Sequence, residues 1–194
     1  MQRAFQALTN KISHCEICAN HFEHKPRPVF QLNPKASILI VGQAPGRKVH
    51  QSGVPFDDPS GARLRDWMGV SNEIFYNANK IAILPMGFCY PGHGPSGDLP
   101  PRKECAEIWR QQILDSMPNI KLTLVIGSYA MEWHLCPLKK RTLTDVVKEW
   151  KSYMPAIIPL PHPSPRNNIW LHKNPWFEED VLPSLKKKVR KIIA

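Results

Sequence analysis

Residues 36–63 read ASILIVGQAPGRKVHQSGVPFDDPSGAR, an uncharged apolar run that breaks abruptly into a loop rich in glycine and proline. Residues 37–41 are short, rich in β-branched side chains and free of charge, which suits a strand covered on both faces in a parallel sheet. Gly42 and Gly46 let the backbone approach a ligand closely and Pro45 fixes a turn, so the loop's N–H and C=O groups can read a small polar ring. An ordinary strand-to-helix turn has the same composition. The loop has neither the G-x-G-x-x-G nor the G-x-x-x-x-G-K-S/T spacing, which argues against a dinucleotide or P-loop site.

Outward from this stretch, apolar runs at 80–85, 122–126 and 156–160 give three more strands, and helical periodicity separates them. Helices are expected over 3–12, over 61–68 with Ser60 as cap and Gly69 as stop, over 102–117, over 128–135, and from Thr142 or Thr144 to about residue 153. Pro175 opens a last helix. Residues 20–34 are a polar, proline-broken connector, and 86–101 form a glycine- and proline-rich loop of the kind that carries function. Alternating strands and helices predict an α/β fold, a three-layer α/β/α sandwich on a four-stranded parallel sheet, formed by residues 1–194 as one domain. Ligands are expected at the carboxyl ends of the strands.

The chain carries 26 Lys and Arg against 16 Asp and Glu, a formal net charge of +10. A polyanionic partner accounts for such an excess, although the basic run from Lys186 to Lys191 also reads as a solvated helix face. No apolar run reaches the roughly eighteen residues of a membrane span, and no signal peptide opens the chain. A soluble, cytoplasmic protein without disulfides is expected, with no membrane partner.

Two further patterns carry chemistry. Cys15 and Cys18 form a C-x-x-C that is either redox-active or half of a metal site. His162 follows the fourth strand inside P-H-P-S-P, where prolines stiffen the backbone and hold an imidazole donor with little entropy to lose. A lone histidine there is otherwise structural. Three loops then share one sheet edge: 42–46, 85–92 and 162–166.

G-Q-A-P-G, G-V-P-F and a terminal H-P-S-P, in that order, resemble the uracil-DNA glycosylase superfamily. The cysteines are similar to those of its iron–sulfur members, the fourth family: two residues separate Cys15 from Cys18, 70 separate Cys18 from Cys89, and 15 separate Cys89 from Cys105. The resemblance implies that these four hold a 4Fe–4S cluster of structural role. By chemistry alone four thiolates equally make a tetrahedral zinc site. Cys136 is left over as an ordinary buried thiol.

The resemblance also implies roles in removing a flipped base from DNA. Gly42 and Ala44 belong to the base-binding loop. Phe56 stacks on the base, with a core phenylalanine as the alternative reading. His162 lies near uracil O2 and stabilises the departing anion. Ser164 hydrogen-bonds a phosphate, and Arg166 pairs with one or fills the gap left by the base. Departures accompany these matches. Gln43 stands where the fourth family has glutamate, Ala44 where the first family has its water-activating aspartate, and Pro85 where a pyrimidine-reading asparagine is expected. Asp57 and Asp58 are then the nearest carboxylates in sequence, available either to activate water or to cap the next helix.

The expected activity is that of a monofunctional DNA glycosylase, acting as a monomer on uracil or another deaminated base in DNA. The alternatives are an iron–sulfur DNA-binding protein that has lost efficient catalysis and a zinc-bearing α/β enzyme acting on a small nucleotide.

Overall fold

The computed structural model describes residues 2–95, 97–135 and 141–194; Cys136 lies outside them. In chain order the elements are α1 (Gln2–Ser13), β1 (Ile38–Val41), α2 (Arg47–Ser52), α3 (Pro59–Met68), α4 (Asn72–Phe75), β2 (Ile81–Ile83), β3 (His93–Gly94), β4 (Gly97–Asp98), α5 (Lys103–Cys105) and α6 (Gln111–Asp115), followed by β5 (Leu122–Ile126), α7 (Ser128–His134), α8 (Leu143–Lys148), α9 (Trp150–Tyr153), β6 (Ile157–Leu160), α10 (Asn168–Lys173) and α11 (Leu182–Ile193). Turns of π-helix at Ala106–Arg110 and Phe177–Val181 join α5 to α6 and lead into α11.

The main sheet is parallel throughout, in the order β2-β1-β5-β6. Every residue of β1 is buried, as a central strand with helices on both faces requires. Register follows from that burial: Ile40 sits beside Ile83 on one side and Leu124 on the other. Pro159, which cannot donate to a ladder, falls on β6 at the edge of the sheet. At the opposite edge Gln31 makes an antiparallel bridge to Ile83, with N···O distances of 2.9 and 2.6 Å, so the connector partly covers the edge of β2.

The four expected strands and the sandwich are present, and several details differ. The cap of α3 is Asp58, whose Oδ1 accepts from Gly61 N at 2.8 Å; Pro59 occupies the first helical turn and Ser60 lies inside the helix. Thr142 rather than Thr144 caps α8, in a reciprocal pair with Asp145. The helix expected to run to residue 153 breaks at Glu149 into α8 and α9. The helix expected over 102–117 runs from 103 to 115 with a π turn at its centre, and 86–101 contain a two-stranded hairpin, β3–β4. Before the terminal helix, α10 occupies a stretch to which the sequence reading assigns no element.

Order 2-1-5-6 means the chain leaves β1 in one direction to reach β2 and crosses back over it to reach β5. A crevice therefore opens beyond the carboxyl end of β1. No helix among the described residues is long and apolar enough to cross a membrane.

Candidate active site and cysteine cavity

A cavity of about 810 Å³ occupies that crevice, lined by Gly42–Gly46, Phe56, Asp58, Pro85, Tyr90, the β3–β4 hairpin, His162, Ser164 and Arg166. All three loops expected at this edge contribute to it. Of the residues singled out in the sequence for base and DNA chemistry, Asp57 alone is not among the lining; it is exposed at the surface.

The loop after β1 is held by its neighbour. Leu84 N donates to Ile40 O, Met86 N to Gly42 O and Gly87 N to Gln43 O, at 2.8–2.9 Å. The carbonyls of Gly42 and Gln43 thus each accept one backbone hydrogen bond, as does Gly46 O from His50 N at the start of α2. Gly42 packs against the Phe56 ring: a Cβ there would meet it at van der Waals distance, 3.4 Å.

Phe56 is the described non-glycine residue with positive φ, at 56°, a conformation that costs a side-chain-bearing residue of order 1–3 kcal/mol. Its surroundings over-determine it. Gly61 presses on its carbonyl so closely that a Cβ there would lie 1.8 Å from the oxygen. Tyr76 Oη and Arg65 Nη1 donate to the same oxygen at 3.4 and 3.5 Å, and the ring stands edge-on to Phe75 with centroids 6.2 Å apart. The strain positions an aromatic ring over the end of β1.

His162 is half-buried where β6 ends. Ser164 N donates to its Nδ1 at 3.2 Å, which leaves Nδ1 unprotonated and places the ring proton on Nε2. Burial holds the imidazole below its ordinary value, with the Asp58 and Asp98 carboxylates acting weakly in the other direction. A neutral ring with a fixed donor results. Two residues that sequence reading did not single out secure this loop: Asn167 Nδ2 donates to His162 O at 2.7 Å, and Arg63 Nη1 to Ser164 O at 3.1 Å. Ser164 caps the short helix Pro165–Asn167 through Arg166 N.

The four cysteines converge elsewhere. Cys15, Cys18, Cys89 and Cys105 line one small cavity with Phe22, Pro26, Pro28, Phe88 and Arg102. None is in a disulfide. Burial pushes Cys89 up to about 12 and Cys105 to about 11, and each is raised further by the other cysteines. Backbone hydrogen bonds from Arg27 to Cys89 and from Phe88 to Cys105 oppose the shift, and Arg102 does the same at Cys18, whose thiol is also raised by burial. Among the described residues no group of three or more His, Cys, Asp or Glu side chains is arranged to hold a metal ion.

The backbone loop, the strained aromatic ring and the imidazole of this parallel α/β protein gather at its switch point, where such folds bind ligands. Residues 29–186 match the family model of the Uracil DNA glycosylase superfamily, and the chain belongs to that superfamily. Membership carries a glycosylase-type function on DNA in general. The matched span includes every residue that lines the large cavity, together with Cys89 and Cys105; Cys15 and Cys18 precede it.

Proposed function

We propose that the protein is a monofunctional DNA glycosylase that receives uracil or another deaminated base flipped from DNA and hydrolyses its N-glycosidic bond. The observation that carries this reading is the His162 imidazole, neutral and committed by Ser164 N to donate from Nε2 at the edge of the cavity. As the bond breaks, negative charge grows on the base, and a preorganised donor that strengthens with that charge lowers the barrier. Phe56 supplies the stacking face, Gly42 and Ala44 the backbone at its edge, and Gln43 an amide that can both donate and accept. Ser164 and Arg166 lie at the rim, where phosphates pass.

The cysteines are best read as ligands of a 4Fe–4S cluster. Four thiols around one cavity, with backbone donors aimed at two of the sulfurs, are the ligand set and the hydrogen bonding such clusters use. The same four thiolates would also make a tetrahedral zinc site, with zinc–sulfur distances of about 2.3 Å, and metal analysis of the purified protein separates the two. When bound, the cluster would cross-link the end of α1 to the loop after β2 and to α5.

A second reading, a DNA-binding protein of the same fold with weak catalysis, is favoured by Gln43, Ala44 and Pro85, which give the cavity no carboxylate in its first loop and no asparagine at its wall. Single-turnover incubation with oligonucleotides bearing uracil, hypoxanthine or xanthine, followed by alkali, separates the two. Strand cleavage at one modified base is expected. Tight binding without cleavage of any would establish the second reading.

A further inference from the structure

Hydrolysis of a glycosidic bond needs a group that directs water at the sugar, and of the carboxylates expected near the first loop only Asp58 lines the cavity, with one oxygen committed to capping α3. Positions 43 and 44 are not acidic. Asp57 is outside the cavity, and Asp58 is engaged as a helix cap through Oδ1. The β3–β4 hairpin brings another. His93 pairs with Asp98 and Gly94 with Gly97, and Leu99 N donates to Gly92 O at 2.9 Å to close the base of the hairpin. This folds Asp98 back over the first loop: a Cβ on Gly46 would lie 3.5 Å from Asp98 Oδ2. The other oxygen, Oδ1, is 3.4 Å from His93 Nδ1, and 44% of the Asp98 side chain is exposed. One oxygen is therefore loosely oriented by His93 while the other faces the loop that floors the cavity. On the far side of the hairpin, Arg166 Nη1 lies 3.0 Å from where a Cβ on Gly97 would be, so a carboxylate and a guanidinium flank the same wall. The charge of Asp98 also reaches His162 and Tyr90 across the cavity.

We propose that Asp98 is the catalytic carboxylate that orients and deprotonates the hydrolytic water, in place of the acidic residue missing from positions 43 and 44. The inference rests on the glycosylase reading. The C1′–N bond breaks with its electron pair leaving on the base, whose oxygen accepts from His162 Nε2–H. Water oxygen bonds to C1′, and one of its protons passes to the Asp98 carboxylate, then to the released base. One water is consumed, and free base and an abasic site are formed. Arg166 beside the hairpin holds the strand so that the sugar faces Asp98.

The test is single-turnover excision on the base that the parent protein cleaves. Asp98→Asn is expected to lower the rate about a hundredfold or more, the usual scale for losing a general base, with the Kd for the same DNA within about threefold of the parent. Asp98→Gly is expected to regain part of the lost rate with added formate, which a merely structural role would not allow. His93→Gln is expected to lower the rate by no more than about threefold, since it removes the orienting contact and leaves the carboxylate. An Asp98→Asn variant as fast as the parent overturns the role of Asp98 alone. So does a His93→Gln variant as slow as Asp98→Asn, or an Asp98→Gly variant that formate does not accelerate. A parent protein that excises no base overturns the glycosylase reading and the role of Asp98 together.

Discussion

The base cavity and the cysteine cavity lie on either side of the loop after β2, and they are made in opposite ways. The base cavity is fixed by hydrogen bonds of the chain to itself. Strand ends supply its floor, Met86 and Gly87 hold its first loop, and Ser164, Asn167 and Arg63 hold its last. Its reactive groups are preorganised, so a ligand has little to reorder. The cysteine cavity joins segments far apart in sequence through side chains whose acidity is suppressed by burial. Backbone geometry shapes the first; the residue types that line it distinguish the second. Arg110 links them: fully buried on the π turn after Cys105, it donates through Nη2 to Leu84 O and Pro85 O at 3.2 and 3.0 Å, carbonyls at the end of β2.

The comparison breaks most readily at the cysteines. Cys89→Ser is expected to abolish the visible absorption of an iron–sulfur chromophore in anaerobically prepared protein and to lower unfolding stability by about 4 kcal/mol or more, measured by urea titration. Anaerobically prepared parent protein that contains no iron and is no more stable than Cys89→Ser would refute the cluster.

Acid should act next, and away from both cavities. His134, beside Arg110, has no partner for Nε2 among the described residues, and burial, with the Arg110 charge as the smaller cause, holds it at about 4 against 6.5. A depressed histidine binds its proton more readily when unfolded, so its contribution is complete above pH 6.5 and is lost as pH falls towards 4. The gap corresponds to about 3 kcal/mol. His134→Leu is expected to flatten the dependence of unfolding stability on pH across that window. An unchanged slope would show that the imidazole is solvated.

A smaller effect sharpens the account of the strained ring. Phe56→Ala and Phe56→Gly should lose base stacking equally, but the glycine variant should be the more stable by about 1 kcal/mol, because it tolerates the left-handed backbone. Equal melting temperatures would remove the strain argument. The smallest change is expected at the rim. If Arg166 neutralises one phosphate, Arg166→Ala should reduce the slope of log K against log salt by about 0.9 on duplex DNA or about 0.7 on single strands. An unchanged slope would confine Arg166 to the hairpin.

The parallel sheet was legible because β1 is apolar at every position and ends at glycine, a pattern that burial on both faces dictates. The four cysteines and His162 were legible because their residue types are rare and their spacing is restrictive. The β3–β4 hairpin was not: its strands are two residues long and glycine-bearing, too short for alternation to register. With it went Asp98, whose place over Gly46 depends on a turn and not on any local pattern. Similarly, α2 begins at Gly46 without a side-chain cap, so no start signal precedes it. Asp58 reads equally as cap and catalyst from sequence; its Oδ1 caps α3 through the 2.8 Å bond from Gly61 N, and the residue also lines the cavity. Arg63 and Asn167 act on backbone oxygens across the cavity rim, contacts that no one-dimensional spacing encodes.

The central claim is that His162 donates from Nε2 to the departing base, and single-turnover excision by His162→Ala tests it most directly. The rate should fall by about tenfold to a thousandfold, the scale for one preorganised donor, while DNA affinity and melting temperature stay close to those of the parent. A His162→Ala protein that excises every substrate at the parent's rate would contradict the account and leave the imidazole a packing group at the end of β6.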